Sequence, residues 1–154
     1  MSIWFFINAV VLLYAAWKIF TGYIGIHIIF GALGLLFVFF NWSRHAVFAT
    51  IRSDISRTRK IKYANLSKRV LPIHKWIGST ALLLIIVHGS LVIHHFGWQF
   101  SNWKVLSGFI AGVTLASVVF FGWLRWYRTT VKRRYIHLTL AFCLFALVLL
   151  HLVV

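Results

Sequence analysis

Two stretches of this sequence repeat histidine at the same interval. HKWIGSTALLLIIVH runs from His74 to His88 and HLTLAFCLFALVLLH from His137 to His151, each with thirteen residues between the histidines. Fourteen helical steps rise about 21 Å and come round nearly four full turns, about 40° short. Each pair therefore shares one helix face at two depths. His74 follows Arg69 by five residues and His137 follows Arg134 by three, so both stand at a basic edge. His88 and His151 stand toward the opposite edge. Two such helices running in the same direction set His74 opposite His137 and His88 opposite His151.

Imidazole suits iron, and haem iron takes axial histidine. Two ligands at each level suit a flat macrocycle, whereas zinc usually gathers three or four ligands at one point. The spacing therefore predicts two b-type haems, the inner held by His74 and His137, the outer by His88 and His151. A lone intramembrane histidine is often a hydrogen-bonded packing contact. Two equal spacings at matched depths are harder to obtain that way, and ionisable groups within spans read as functional by default.

Other residues group around these four. Gly78, four residues after His74 on the same face, and Gly89 leave room for a macrocycle, although glycine also favours helix packing; Gly108 and Gly112 form a GxxxG that reads as packing. Lys75, Arg69, Arg133 and Arg134 are candidates for the inner haem's propionates, with Lys104, His94 and His95 for the outer. Edge snorkelling accounts for most of these cations. His27 lies toward the outer end with His94 and His95, where an acceptor, quinone or metal site is one reading. The leading reading makes His94 and His95 interfacial and His27 a packed polar contact. His45 reads as a loop residue.

The elements that position these side chains are membrane spans. The chain of 154 residues is 62% hydrophobic and 11% charged, against about 25% charged in ordinary soluble domains. So little polar surface cannot cover a soluble globule of this size, and lipid must be the main solvent. Five segments are predicted to cross, at about 3–20, 23–42, 71–96, 105–126 and 135–154, each near the roughly 20 apolar residues a spanning helix needs. Their apolar runs are continuous rather than alternating, which excludes strands. The predicted class is an all-α integral membrane bundle forming one domain. Thr21-Gly22 reads as a tight turn, and the first segment as a retained helix, since it lacks a basic leader and a small-residue cleavage site.

Basic residues concentrate in a predicted loop at 43–70 and in the shorter one from Arg125 to Arg134, while the other side has only Lys18 and Lys104 near its edges. The positive-inside rule then puts both loops and the N-terminus in the cytoplasm and the C-terminus outside. A bacterial plasma membrane is the expected location. Val47, Phe48, Ile51 and Ile55 give the stretch Ala46–Ile61 an amphipathic character that suits an interfacial helix on anionic lipid. A solvated basic loop is an equal alternative, and a docking surface for an acidic protein a weaker one.

Composition also excludes chemistries. Asp54 is the only acidic residue, so paired-carboxylate catalysis and a carboxylate-rich Ca²⁺ or Mg²⁺ site are ruled out within this chain. Cys143 is the only cysteine, which removes an internal disulfide, a Cys-ligated iron–sulfur cluster and a CxxCH haem attachment. The net charge of +15 does not indicate nucleic acid, because the basic residues lie between apolar spans.

SKRVLPIHKWIGSTALLLIIVHGSLV and the later RRYIHLTLAFCLFALVLLHLVV resemble the ferric reductase-like transmembrane domain, a superfamily that includes NADPH oxidases, STEAP-type metalloreductases and the haem subunit of a bacterial methionine sulfoxide reductase system. The resemblance spans about residues 23–154, and its specific part is the two histidine pairs. It implies two stacked b-haems between the third and fifth helices, with His74 and His137 inside and His88 and His151 outside. Two departures stand out. Many members carry a tryptophan shortly before the first histidine of the fifth helix, where Tyr135-Ile136 stand here. No sixth helix and no flavin or NAD(P) site is expected in this chain, so electrons are expected from a separate cytoplasmic flavoprotein, quinol or membrane subunit.

The expected function is a transmembrane electron conduit, a haem oxidoreductase or its membrane subunit, with the lipid bilayer as surroundings and self-association open. A quinone-reactive cytochrome b anchor of a larger complex is the redox rival. A non-catalytic membrane scaffold, whose histidines serve helix packing, is the rival from another class. A transporter is disfavoured because proton-coupled transport commonly uses intramembrane carboxylates.

Overall fold

A computed structural model describes residues 3–22 and 24–154. Those residues form five helices: α1 (Ile3–Thr21), α2 (Ile26–Arg52), α3 (Arg57–Phe96), α4 (Trp103–Tyr127) and α5 (Val131–Val153). All five are long and apolar enough to span a membrane. The protein is an all-α membrane helical bundle. Tyr23, the predicted start of the second span, lies outside the described residues.

Helices are the necessary outcome for such runs, because backbone groups in lipid must pair within their own segment. The ends follow local chemistry. Asn102 caps α4 by accepting from the Lys104 amide at 2.8 Å, and Thr130 caps α5 by accepting from the Arg133 amide at 3.3 Å. Gly97 closes α3 at φ 74°, a left-handed conformation that side chains with a Cβ rarely adopt.

The predicted basic loop at 43–70 is instead helical on both sides of a short break. α2 continues to Arg52, and α3 begins at Arg57. Only residues 53–56, which include Asp54, interrupt it. The amphipathic stretch Ala46–Ile61 is thus divided between two helix ends. Lysine and arginine are good helix formers, so charge ends the membrane-buried portion without ending the helix. α3, at 40 residues, is about 60 Å long, roughly twice the hydrocarbon thickness. Pro72 lies inside it, leaving the Lys68 carbonyl without its usual amide donor.

Sequential helices pack as neighbours, α1 on α2, α2 on α3, α3 on α4 and α4 on α5. α3 and α5, which carry the equally spaced histidine pairs, are not packed along each other's length. Aromatic side chains bring α5 back to the start of the bundle: Trp42 stacks on Phe145 at 4.5 Å, and Trp4 meets both Phe142 and Phe145 edge-on. The core joins Ala111, Leu115 and Leu144 to Val38, Leu82, Ile85 and Leu147. Leu144 stands midway between His137 and His151, and fully buried Ala81 midway between His74 and His88. An apolar layer therefore separates the two histidine levels. Outside, large side chains face outward, with Phe20 83% and Leu13 70% exposed, as suits a bundle surrounded by lipid.

Candidate functional site

Matched helical spacing brings the four histidines together in two pairs. The His74 and His137 ring centres are 6.4 Å apart with planes at 76°. The His88 and His151 centres are also 6.4 Å apart, at 78°. The first pair lies at the end of the bundle bearing the basic helix extensions, the second at the opposite end.

Three of the four rings are held in the same manner. His88 Nδ1 lies 2.7 Å from the His27 carbonyl, His137 Nδ1 3.0 Å from that of Val118, and His151 Nδ1 3.1 Å from that of Lys104. In each case a glycine stands four residues after the carbonyl: Gly31, Gly122 and Gly108. A helical side chain leans toward the N-terminus and covers the preceding turn. Glycine leaves that carbonyl's second lone pair open and the ring room to reach it. A Cβ would stand 2.9 Å from His88 Nδ1 at Gly31, 2.8 Å from His151 Cε1 at Gly108, and 3.4 Å from His137 Cε1 at Gly122. Because a carbonyl oxygen only accepts, Nδ1 carries the proton in all three and Nε2 keeps a lone pair.

His74 departs from this pattern. Its Nδ1 is buried without a hydrogen-bond partner. Its own carbonyl instead accepts from Asn41 Nδ2 at 3.2 Å, again above a glycine four residues on, Gly78, where a Cβ would stand 3.2 Å from that amide nitrogen. Gly78 thus faces Asn41 and Val119 rather than open room for a macrocycle. Gly89 has nothing within 4 Å of a Cβ position. Gly108, expected to serve packing alone, accommodates His151, while Gly112 packs near Ile85.

The candidate cations are placed differently from expectation. Lys75 Nζ sits 3.7 Å from the Trp126 ring centre and 4.9 Å from that of Trp123, so indole faces satisfy it. Trp123 in turn donates to Ser79 Oγ at 3.0 Å. Arg133 donates to the Leu124 and Arg128 carbonyls, closing the α4–α5 turn. Arg134 and Arg69 are exposed. Lys104 donates through Nζ to the His151 carbonyl. Arg44 of α2 and Arg125 of α4, which sequence reasoning placed only among topology-setting charges, are within electrostatic reach of both His74 and His137.

At the opposite end His27 stacks on His95 with ring centres 6.5 Å apart, and lies 6.4 Å from His88. Gly25, Ile26, His27, Leu91, His94 and His95 line an open cavity of about 220 Å³. Among the described residues no three histidine, cysteine or acidic side chains gather as a metal cluster. His45 is not a loop residue: it lies on α2 among Trp4, Trp42 and Phe142 at 4.8–5.2 Å.

Sequence reasoning missed Gly31, Gly122, Asn41 and Ser107. Their spacing to the histidines is not regular along the chain, because they belong to neighbouring helices. A signal existed only in the isolated glycines inside α2 and α4, which cost helix stability and so invite a packing reason.

A scan of protein-family models, a search of curated proteins and a search of solved structures each find no match for this chain.

Proposed function

We propose that this protein is a transmembrane b-type cytochrome that passes electrons between the two faces of a membrane through two bis-histidine haems. The observation that carries the reading is the pair of matched imidazole sites, with Nδ1–H committed to a backbone carbonyl in three of the four rings. That commitment selects the tautomer whose Nε2 can bind a metal, the usual arrangement for a ligating histidine. A metal ion ligated by both imidazoles of a pair would set their ring centres about 6 Å apart; both pairs stand at 6.4 Å. The spacing between α3 and α5 is bridged by these side chains rather than by helix packing, which also suits a group seated between them.

Haem supplies one-electron chemistry when bound. The chain's own part is structural and electrostatic. His74 and His137 hold one level, His88 and His151 the other, about 21 Å away along the helices. Leu144, Leu115, Ala81 and their neighbours exclude water between the levels. The resemblance of the histidine segments to the ferric reductase-like transmembrane domain supports the same assignment. On this reading the basic end is cytoplasmic, a bacterial plasma membrane is the setting, and a flavoprotein, quinol or membrane subunit supplies electrons.

The test is a dithionite-reduced minus oxidised spectrum of detergent-purified protein with haem quantified per chain. About two b-haems, falling to about one in His88→Ala, is the expected result. Colourless protein from haem-replete cells would remove the reading and favour a membrane scaffold. A quinone-reactive cytochrome b anchor is favoured by one observation, the cavity at His27, His94 and His95 beside His88. It predicts that a short-chain quinol reduces the haem of the purified protein, and lack of reduction counts against it.

A further inference from the structure

The basic end of the bundle holds two cations without an anion. Arg44 comes from α2 and Arg125 from α4, and both are partly buried. The Nε atoms of both are buried and have no hydrogen-bond partner. Arg44 stands three residues after Asn41, which donates to the His74 carbonyl, and Arg125 three residues after Gly122, which lies against the His137 ring, so each is about one helical turn from the His74–His137 pair. Arg44 also lies over the Phe48 ring, 5.6 Å from its centre.

No carboxylate side chain can answer these charges. Asp54 is the chain's only acidic residue, and it is exposed in the α2–α3 turn. Like charges brought together in a low-dielectric setting persist when a third group of opposite sign joins them. The guanidinium fork matches two oxygens of one carboxylate or phosphate.

We infer that Arg44 and Arg125 form a two-sided receptor for an oxyanion beside the His74–His137 pair. Two sources present this chemistry. One is a carboxylate side arm of a haem held by that pair, which rests on the function proposed above. The other is the phosphate of an anionic lipid drawn to the basic end, which does not. Among the cations, those nominated from sequence alone are otherwise placed: Lys75 is satisfied by indoles, Arg133 by carbonyls, and Arg134 and Arg69 are exposed.

The experiment compares wild-type full-length protein with Arg44→Gln, Arg125→Gln and the double variant, each purified in mild detergent. Haem per chain and the midpoint potential of each haem are measured, and bound phospholipid is counted by native mass spectrometry. With the haem carboxylate as the anion, the double variant loses the haem of the His74–His137 pair or lowers its midpoint potential. The other haem and the bound lipid stay unchanged. With a lipid phosphate as the anion, wild-type protein retains an anionic phospholipid that the double variant loses by about tenfold or more, with both haems retained. A double variant that matches wild type in both measurements overturns the inference. Should the double variant not fold, the single variants decide: each is expected to show part of the same loss, and no change in either overturns the proposal. Wild-type protein without haem would defeat the cytochrome reading alone, and the lipid count would then settle the oxyanion site.

Discussion

Lys104 and His151 grip one another reciprocally. The Lys104 carbonyl accepts from His151 Nδ1 at 3.1 Å, while the Lys104 ammonium donates to the His151 carbonyl. Ser107 Oγ stands 3.2 Å from the same Nδ1, and Gly108 leaves the ring its space. A helix C-terminus leaves its last carbonyls without intrahelical donors. Lys104 therefore both closes the end of α5 and orients the ring that α5 carries. Lys104→Met is expected to cost roughly 1–2 kcal/mol in unfolding free energy and, on the proposed cytochrome reading, to weaken haem retention at the His88–His151 pair without affecting the other. Denaturant unfolding and haem quantification on the same sample check it.

The glycines beneath the rings make a graded series. A Cβ would fall 2.8 Å from the ring at Gly108 and 2.9 Å at Gly31, but 3.4 Å at Gly122. Gly108→Ala and Gly31→Ala must displace a ring, and overpacking of this kind costs about 1–3 kcal/mol. Gly122→Ala meets near-ordinary contact and gains helix propensity of up to about 1 kcal/mol. On the proposed cytochrome reading, the expected order of haem loss is therefore Gly108→Ala and Gly31→Ala well ahead of Gly122→Ala. An equal effect at all three positions would contradict the ring-seating role.

Asn41 touches the His74 helix through its backbone, not through the imidazole, donating to the His74 carbonyl at 3.2 Å. Its Oδ1 and the His74 Nδ1 are both buried without partners. Asn41→Leu removes a hydrogen bond worth about 1 kcal/mol and places a branched side chain over Gly78. Thermal unfolding is expected to shift downward and, on the proposed cytochrome reading, the haem spectrum of the His74–His137 site is perturbed and that of the His88–His151 site preserved.

Lys75 tests whether charge near the His74–His137 pair serves the proposed haem or the fold. Its ammonium lies among Trp76, Trp123 and Trp126, contacts worth about 0.5–2 kcal/mol. Lys75→Met is expected to change tryptophan fluorescence and cost about that much stability, while haem content per chain stays at the wild-type level. Loss of haem in this variant would return Lys75 to the cofactor.

Cys143 reports on the surroundings of α5. It is exposed on the bundle surface, six residues beyond His137 and eight before His151, so in a bilayer it faces hydrocarbon. A membrane-impermeant maleimide is expected to leave it unlabelled in liposomes and to label it after denaturation. Rapid labelling in intact liposomes would place that face in water.

Helix number and the depth of each histidine were legible in the sequence, because both depend on distance along one helix. Continuous apolar runs require backbone self-pairing, which only helices supply here, and an interval of fourteen residues returns a side chain to nearly the same face. The approach of His74 to His137 and of His88 to His151 follows from those local rules once α3 and α5 run in the same direction. The extent of α2 and α3 was not legible, since a run of arginine and lysine marks where lipid ends, not where hydrogen bonding along the helix ends. Residues from other helices decided the rest. Which carbonyl receives the Nδ1 of His88, His137 and His151, which glycine clears each of those rings, why Lys75 turns to three indoles, and why Arg44 and Arg125 stand near the His74–His137 pair all depend on contacts between segments far apart in the chain. Only the packing of α2 on α3, of α3 on α4 and of α4 on α5 brings those groups together.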